Sequence, residues 1–263
     1  MKLLALIIAY LFSHMIPKPQ RFRNFHWYQI WMDWLERTTH FKMKELTLIV
    51  SIGVPVFVIS FVLNGLVYSI VSSLLISILV LSYCIGPESL EEDVKSKEIR
   101  TKLGVRKNAK IPVLIKTMTQ VSMKRWFGVF FWYVVLGIAG ALIYRLAERH
   151  KQFLSESTDE NSMNAISQLM RILNYPVAWL MVISLAIASD FERIFKKCKP
   201  FMTFENIKHF DDSFLYEATD FAVENCEVED DDEKSIEEVT ISVLKRMLVV
   251  WLVFVSIFVI FAN

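Results

Sequence analysis

"RWFGVFFWYVVLGIAGALIYRLAER", residues 125–149, is the stretch whose reading decides the fold. It is apolar over 126–147, yet it places Gly137, Gly140 and Ala141 at its centre and Tyr144 and Arg145 just behind them. On a straight helix Tyr133, Gly137, Gly140, Ala141, Tyr144 and Glu148 share one face. Helices in lipid associate through close packing and polar contacts, and small residues let two backbones approach. The spacing therefore predicts a groove that receives another helix. Arg145, one turn beyond Ala141, is expected near an outer membrane interface, where it snorkels or meets a carboxylate. Tyr133, Gly137, Gly140, Ala141, Tyr144 and Arg145 are the candidate packing or cavity residues.

The rest of the chain agrees with a membrane setting. Of its 263 residues 54% are hydrophobic, with 20 Phe and 7 Trp against 7 Gly and 7 Pro. Mean hydropathy is +0.39, and the apolar residues come in blocks at 3–16, 46–63, 66–85, 126–147, 175–188 and 248–262. A bilayer core about 30 Å thick needs roughly 20 apolar helical residues. The blocks 46–63, 66–85, 126–147 and 248–262 reach that length with their flanks, whereas 3–16 and 175–188 are short. The expectation is an all-α polytopic protein, one integral membrane domain over 1–263 with five or six membrane helices. Block 3–16 has a thin basic leader and no small-residue cleavage site after it, so it reads as an uncleaved helix.

Charge orders these helices. Six basic residues lie between the first two blocks, from Lys18 to Lys44, and ten more lie between Lys95 and Arg125. Blocks 46–63 and 66–85 are joined only by Asn64 and Gly65, so both basic loops share a side. By the positive-inside rule that side is the cytoplasm. Cytoplasmic helical segments are expected at 17–45, 86–125 and 190–244, with Lys2, Arg149, Lys151 and Arg171 on the opposite side. Net charge is only +1, which argues against a nucleic-acid partner. The apolar blocks make the lipid bilayer the expected partner.

Between the blocks, Trp27, Ile30, Trp31, Trp34 and Leu35 recur at helical spacing, as in a helix lying at a membrane interface. Ser89 and Glu92 have capping-box spacing, and Phe210, Phe214, Leu215, Ala218 and Phe221 form an apolar helical face. The acidic run 224–238 reads as a linker. Chemistry is sparse. The five histidines form no metal-ligand pair, and His209 with Asp211 and Asp212 is a weak cluster. No phosphate-binding loop or nucleophile elbow occurs, and the three cysteines form no C-x-x-C pair. No catalytic, cofactor-binding or metal-binding residue is assigned, no cofactor is expected, and the chain does not read as an enzyme.

"FGVFFWYVVLGIAGALIYRLAER" resembles the signature of the AmpE family, inner-membrane proteins linked to regulation of β-lactamase induction. "ILNYPVAWLMVISLAIASDFERIF", with Pro176 and Asp190, resembles that family's proline-marked helix and its Gly-Asp-Phe, although Ser189 stands where the glycine would be. "LSYCIGPESL" is similar to its hairpin exit. The resemblance implies a place in the bacterial inner membrane, a regulatory or signalling role in β-lactam or peptidoglycan stress, and an unidentified protein or envelope-derived ligand as partner. The family is itself similar to the membrane enzyme adenosylcobinamide-phosphate synthase, whose core "GxxGAxxYR" is shared. That enzyme's acidic and amide runs are replaced here by "LAERHK" and "QVSMKRWFG". An enzyme or carrier of that type, or a scaffold recruiting a cytoplasmic partner, is the alternative expectation.

Overall fold

The structure is a computed structural model that describes residues 2–15, 25–38, 44–85, 90–95, 99–106, 109–155, 160–201, 203–229 and 235–261. Every regular element among them is a helix, as the apolar blocks predict. These are α1 (Lys2–Met15), α2 (His26–Thr38), α3 (Lys44–Gly65), α4 (Ile70–Ile85), α5 (Leu90–Lys95), α6 (Ile99–Lys102), α7 (Ile111–Ser122) and α8 (Gly128–Leu154). There follow α9 (Glu160–Ala188), α10 (Phe191–Cys198), α11 (Phe204–Lys208), α12 (Ser213–Glu229) and α13 (Ile236–Phe261). A π-helical turn, Met123–Phe127, joins α7 to α8.

Local chemistry sets the helix starts. Pro112 lies in the first turn of α7 after an extended Lys110, where its missing N–H costs nothing. The Asp190 carboxylate accepts the Arg193 N–H and caps α10. Ser235 and Glu238 cap α13 reciprocally: the Glu238 N–H donates to Ser235 Oγ at 3.4 Å and the Ser235 N–H to Glu238 Oε2 at 3.3 Å. The capping pair expected at Ser89 and Glu92 falls outside the described side chains.

Among the described residues four helical runs are long and apolar enough to cross a membrane: Leu46–Gly65, Ile111–Leu154, Glu160–Ala188 and Ile236–Ile257. This set differs from the four blocks singled out by length. Block 66–85 yields only the 16 residues of α4, about 24 Å of helix, because Leu66–Ser69 form a turn. There the Ser72 hydroxyl accepts the N–H groups of Tyr68 and Ser69. Block 175–188, short by itself, is the end of a 29-residue helix that begins at Glu160 and runs through Pro176. Its first turns are polar enough to hide from a hydropathy count. The outward side chains of α3 suit lipid: Phe57 and Phe61 stack on each other and are both 72% exposed.

The chain divides into two compact units, Met1–Pro87 with Gly128–Leu173, and Glu88–Phe127 with Asn174–Asn263. In the first, α1 packs on α4, α3 and α4 pack on α8, and α2 packs on α3. Lys2 Nζ donates to the Val134 carbonyl at 3.0 Å, and Trp132 Nε1 to the Leu173 carbonyl at 3.1 Å. In the second, α12 packs against α7, α10 and α13. Its buried face is Phe214, Leu215, Ala218, Ala222 and Val223. Phe210 precedes α12 in a positive-φ conformation rather than lying on that face. Trp251 of α13 receives the edge of Phe127, and Arg100 pairs with Glu237 at 2.7 Å.

Candidate functional site

The centre of the opening stretch is not a straight helix. Gly137 has φ 69° and ψ −151°, a region open to glycine and costly for other residues. A Cβ at Gly137 would meet nothing, so glycine is needed there for its backbone and not for space. Gly140 is the opposite case. A Cβ on it would collide with the Trp132 carbonyl oxygen and lie 2.7 Å from Leu136 Cβ. A Cβ on Gly128 would enter the ring of Tyr144. On a straight helix Gly128 and Tyr144 would be about 24 Å apart, and Trp132 and Gly140 about 12 Å. The segment therefore doubles back at Gly137 into two arms, 128–136 and 138–154.

This reversal redefines the candidate face. The backbone that approaches Gly140 belongs to the first arm of its own segment. Ala141 and Tyr144 are fully buried, Tyr133 is buried with its hydroxyl bonded to Ser77, and Arg145 is 3% exposed. The expectation that Arg149 and Lys151 lie across the membrane from 17–45 is corrected in the first unit. Tyr28 of α2 shares a 3.0 Å hydrogen bond with His150 Nδ1, and Ser51, near the start of α3, lies 3.5 Å from the same nitrogen. Counting one crossing for block 126–147 misses the return of the chain at Gly137.

Arg145 sits in a polar cluster at that end of the unit. Its Nη1 donates to Glu148 Oε2 at 3.0 Å, and its guanidinium lies 5.7 Å from the centroid of Phe25. Arg149 lies 5.2 Å from the same ring, with Nε 3.9 Å from the same Glu148 oxygen and Nη1 bonded to Gln152 at 2.8 Å. The Nε atoms of Arg145 and Arg149 are buried without a hydrogen-bond partner among the described residues. Phe25 packs at 4.6 Å on Tyr83, whose hydroxyl accepts Trp27 Nε1 at 2.9 Å. Beside it Trp31 Nε1 donates to the Ser51 carbonyl. Burial pushes the Tyr28 hydroxyl above its ordinary range, and a bond to Ser51 partly offsets this, so Tyr28 remains a neutral phenol. Two cations thus share one carboxylate.

α2 turns a different face inward from the one its tryptophans mark. Tyr28, Met32 and Leu35 are buried, while Trp27, Ile30 and Trp34 are 37%, 57% and 52% exposed. Trp31 and Trp34 stack at 5.3 Å. The exposed aromatics suit a headgroup region, and the buried face carries Tyr28 to His150. Sequence reasoning missed Phe25, Tyr28, Ser51, Tyr83 and Arg149. Their only signal was the coincidence of a cation pair and a histidine within one turn of each other.

The other singled-out residues stand apart from this cluster. Pro176 lies inside α9, and Asp190 caps α10 and pairs with Arg193 at 3.1 Å. Asp211 accepts the Ser213 N–H and hydroxyl at 3.0 and 2.8 Å, and Asp212 accepts the Tyr216 hydroxyl at 3.1 Å. Among the described residues no three His, Cys, Asp or Glu side chains are grouped to hold a metal ion. No family model, no curated protein and no solved structure matches the chain.

Proposed function

We propose that this chain is an AmpE-like regulatory protein of the bacterial inner membrane, acting in β-lactamase induction or cell-envelope stress. Both basic loops, 17–45 and 86–125, are cytoplasmic in this reading. The shorter α1 and α4 complete a set of five or six membrane helices, accommodated by local thinning of the bilayer. One observation carries the proposal: the residues on which the family resemblance rests act together. Gly137 reverses the chain, Gly140 accepts the returning backbone, Tyr144 fills the space that Gly128 leaves, and Arg145 meets Phe25 beside α2. A sensor needs a contact shared by two elements that an occupant can shift, and the ring of Phe25 under two guanidinium groups is such a contact.

The surplus positive charge at Arg145 and Arg149 also suits a membrane enzyme or carrier of the cobinamide-phosphate-synthase type. The two readings separate in the host. Deleting the gene is expected to change β-lactamase induction by a β-lactam, with wild-type protein restoring it. Arg145→Ala is expected to fold without restoring it. Unchanged induction in the deletion strain would sink the regulatory reading. Rescue of cobalamin synthesis in a strain lacking the synthase would establish the other.

A further inference from the structure

We propose that the cluster formed by Phe25, Tyr83, Arg145, Glu148 and Arg149 is a binding site for a phosphate group, carried by a lipid headgroup or by a small soluble ligand. The inference deepens the regulatory reading and rests on it only in using the same cluster. Its premise is a charge imbalance in a dry place. The Arg145 side chain is 4% exposed and the Arg149 side chain 27%, and among the described residues Glu148 is the carboxylate that pairs with both. The two arginines are one helical turn apart, a spacing at which like charges repel, and both lie over one aromatic ring. A buried cation needs a counter-charge, and each guanidinium retains a buried Nε donor with no hydrogen-bond partner among the described residues. Proteins seldom leave such donors unmet.

The geometry selects the anion. Glu148 takes up Nη1 of Arg145 and Gln152 takes up Nη1 of Arg149, leaving the Nε edge of each planar fork for an acceptor with several oxygens. Guanidinium forks match phosphate and carboxylate bidentately, and phosphate offers enough oxygens for two forks at once. Arg149, the more exposed of the two, is the one an incoming anion would meet first. The Phe25–Tyr83 pair forms an apolar wall, and the Trp27 indole, bonded to the Tyr83 hydroxyl, stands beside it. The exposed Trp27, Ile30 and Trp34 of α2 are residues that settle at headgroup depth, where lipid phosphates lie and water-soluble phosphates can still enter.

The test uses the full chain, stripped of copurified lipid in an uncharged maltoside detergent and checked by phosphorus assay. Inorganic phosphate is titrated at constant ionic strength against chloride, and phosphatidylglycerol is titrated in parallel against uncharged diacylglycerol. Thermal stability and tryptophan emission are read in each series. A saturable rise in melting temperature is expected with at least one ligand, with saturation needing about tenfold more ligand in Arg149→Gln. The exposed Arg171→Gln should behave as wild type. A response to the lipid alone identifies a headgroup site; a response to inorganic phosphate identifies a soluble ligand. No saturable response to either, or identical saturation in wild type and Arg149→Gln, overturns the site. Because the readout is binding by purified protein, a failed site in a working regulator and a working site in a chain without regulatory activity give different results.

Discussion

Gly137 and Gly140 are both glycines for reasons that a helical wheel does not separate. Gly137 supplies a backbone conformation with open space where its side chain would be, while Gly140 supplies the space itself. Substitution should therefore fail differently at the two positions. Gly137→Ala keeps the volume small but forces a Cβ into a positive-φ conformation, at a cost of about 1–3 kcal/mol. Gly140→Leu drives a branched side chain into the Trp132 backbone, which cannot swing aside as a side-chain tip could, and overpacking of this kind costs about 1–3 kcal/mol. Val135 is 50% exposed, so Val135→Leu should change little in an apolar solvent. Thermal melts in detergent check all three. Equal stability of the Gly140→Leu and Val135→Leu variants would mean that the two arms do not meet at Gly140.

Helices were legible wherever one periodicity held and met a chemical stop. Block 46–63, which becomes α3 and stops at Gly65, is of this kind. The early start of α9 was not legible, because Glu160–Arg171 is polar enough to read as a loop and is helical only in company with the apolar turns after it. The reversal in α8 was hidden more completely. Apolar residues continue through Gly137 at helical spacing, and a single positive φ leaves no trace in hydropathy; Gly137, Gly140 and Gly128 look alike on the page. The cluster around Arg145 followed from that reversal, so only Arg145 itself could be picked out beforehand. In the second unit the α7–α12 seam offers a test of its own. Asp212 accepts the Tyr216 hydroxyl while Lys116 lies 5.2 Å from the centre of that ring. Burial, aided by the neighbouring Asp211, raises the Asp212 carboxyl above the usual carboxylate range, although the Tyr216 bond and Lys116 oppose the shift. The folded state then holds the Asp212 proton to a higher pH than the unfolded chain does. Its contribution to stability is present below the ordinary carboxylate value and is lost as pH rises through the raised one. Acidification from neutral toward the ordinary carboxylate range should therefore stabilise wild type relative to Asp212→Asn, which keeps an acceptor for Tyr216 but cannot titrate. Parallel stability–pH curves for the two proteins would remove Asp212 as the cause.

At the scale of the whole molecule, charge counting and packing carry different kinds of information about sidedness. The positive-inside rule sees long basic loops, and it places 17–45 on the cytoplasmic side from their composition. It cannot see that 128–154 returns on itself. Packing within the first unit supplies that fact, since Tyr28, Ser51 and His150 meet at one end, while the turn between α3 and α4 ends more than a dozen residues of helix beyond Ser51, about 20 Å away. Together they predict three accessibilities. In a chain whose native cysteines are replaced, Glu36→Cys and Gln152→Cys should both resist a membrane-impermeant thiol reagent in intact spheroplasts and react once the membrane is opened. Tyr68→Cys, at a position 86% exposed in the turn, should react without opening. The pair 36 and 152 decides the matter, because a straight crossing at 126–147 puts them on opposite sides and a reversal at Gly137 puts them on the same one. Labelling of 152 but not 36 in intact spheroplasts would restore the straight crossing and remove the cluster around Arg145 along with it.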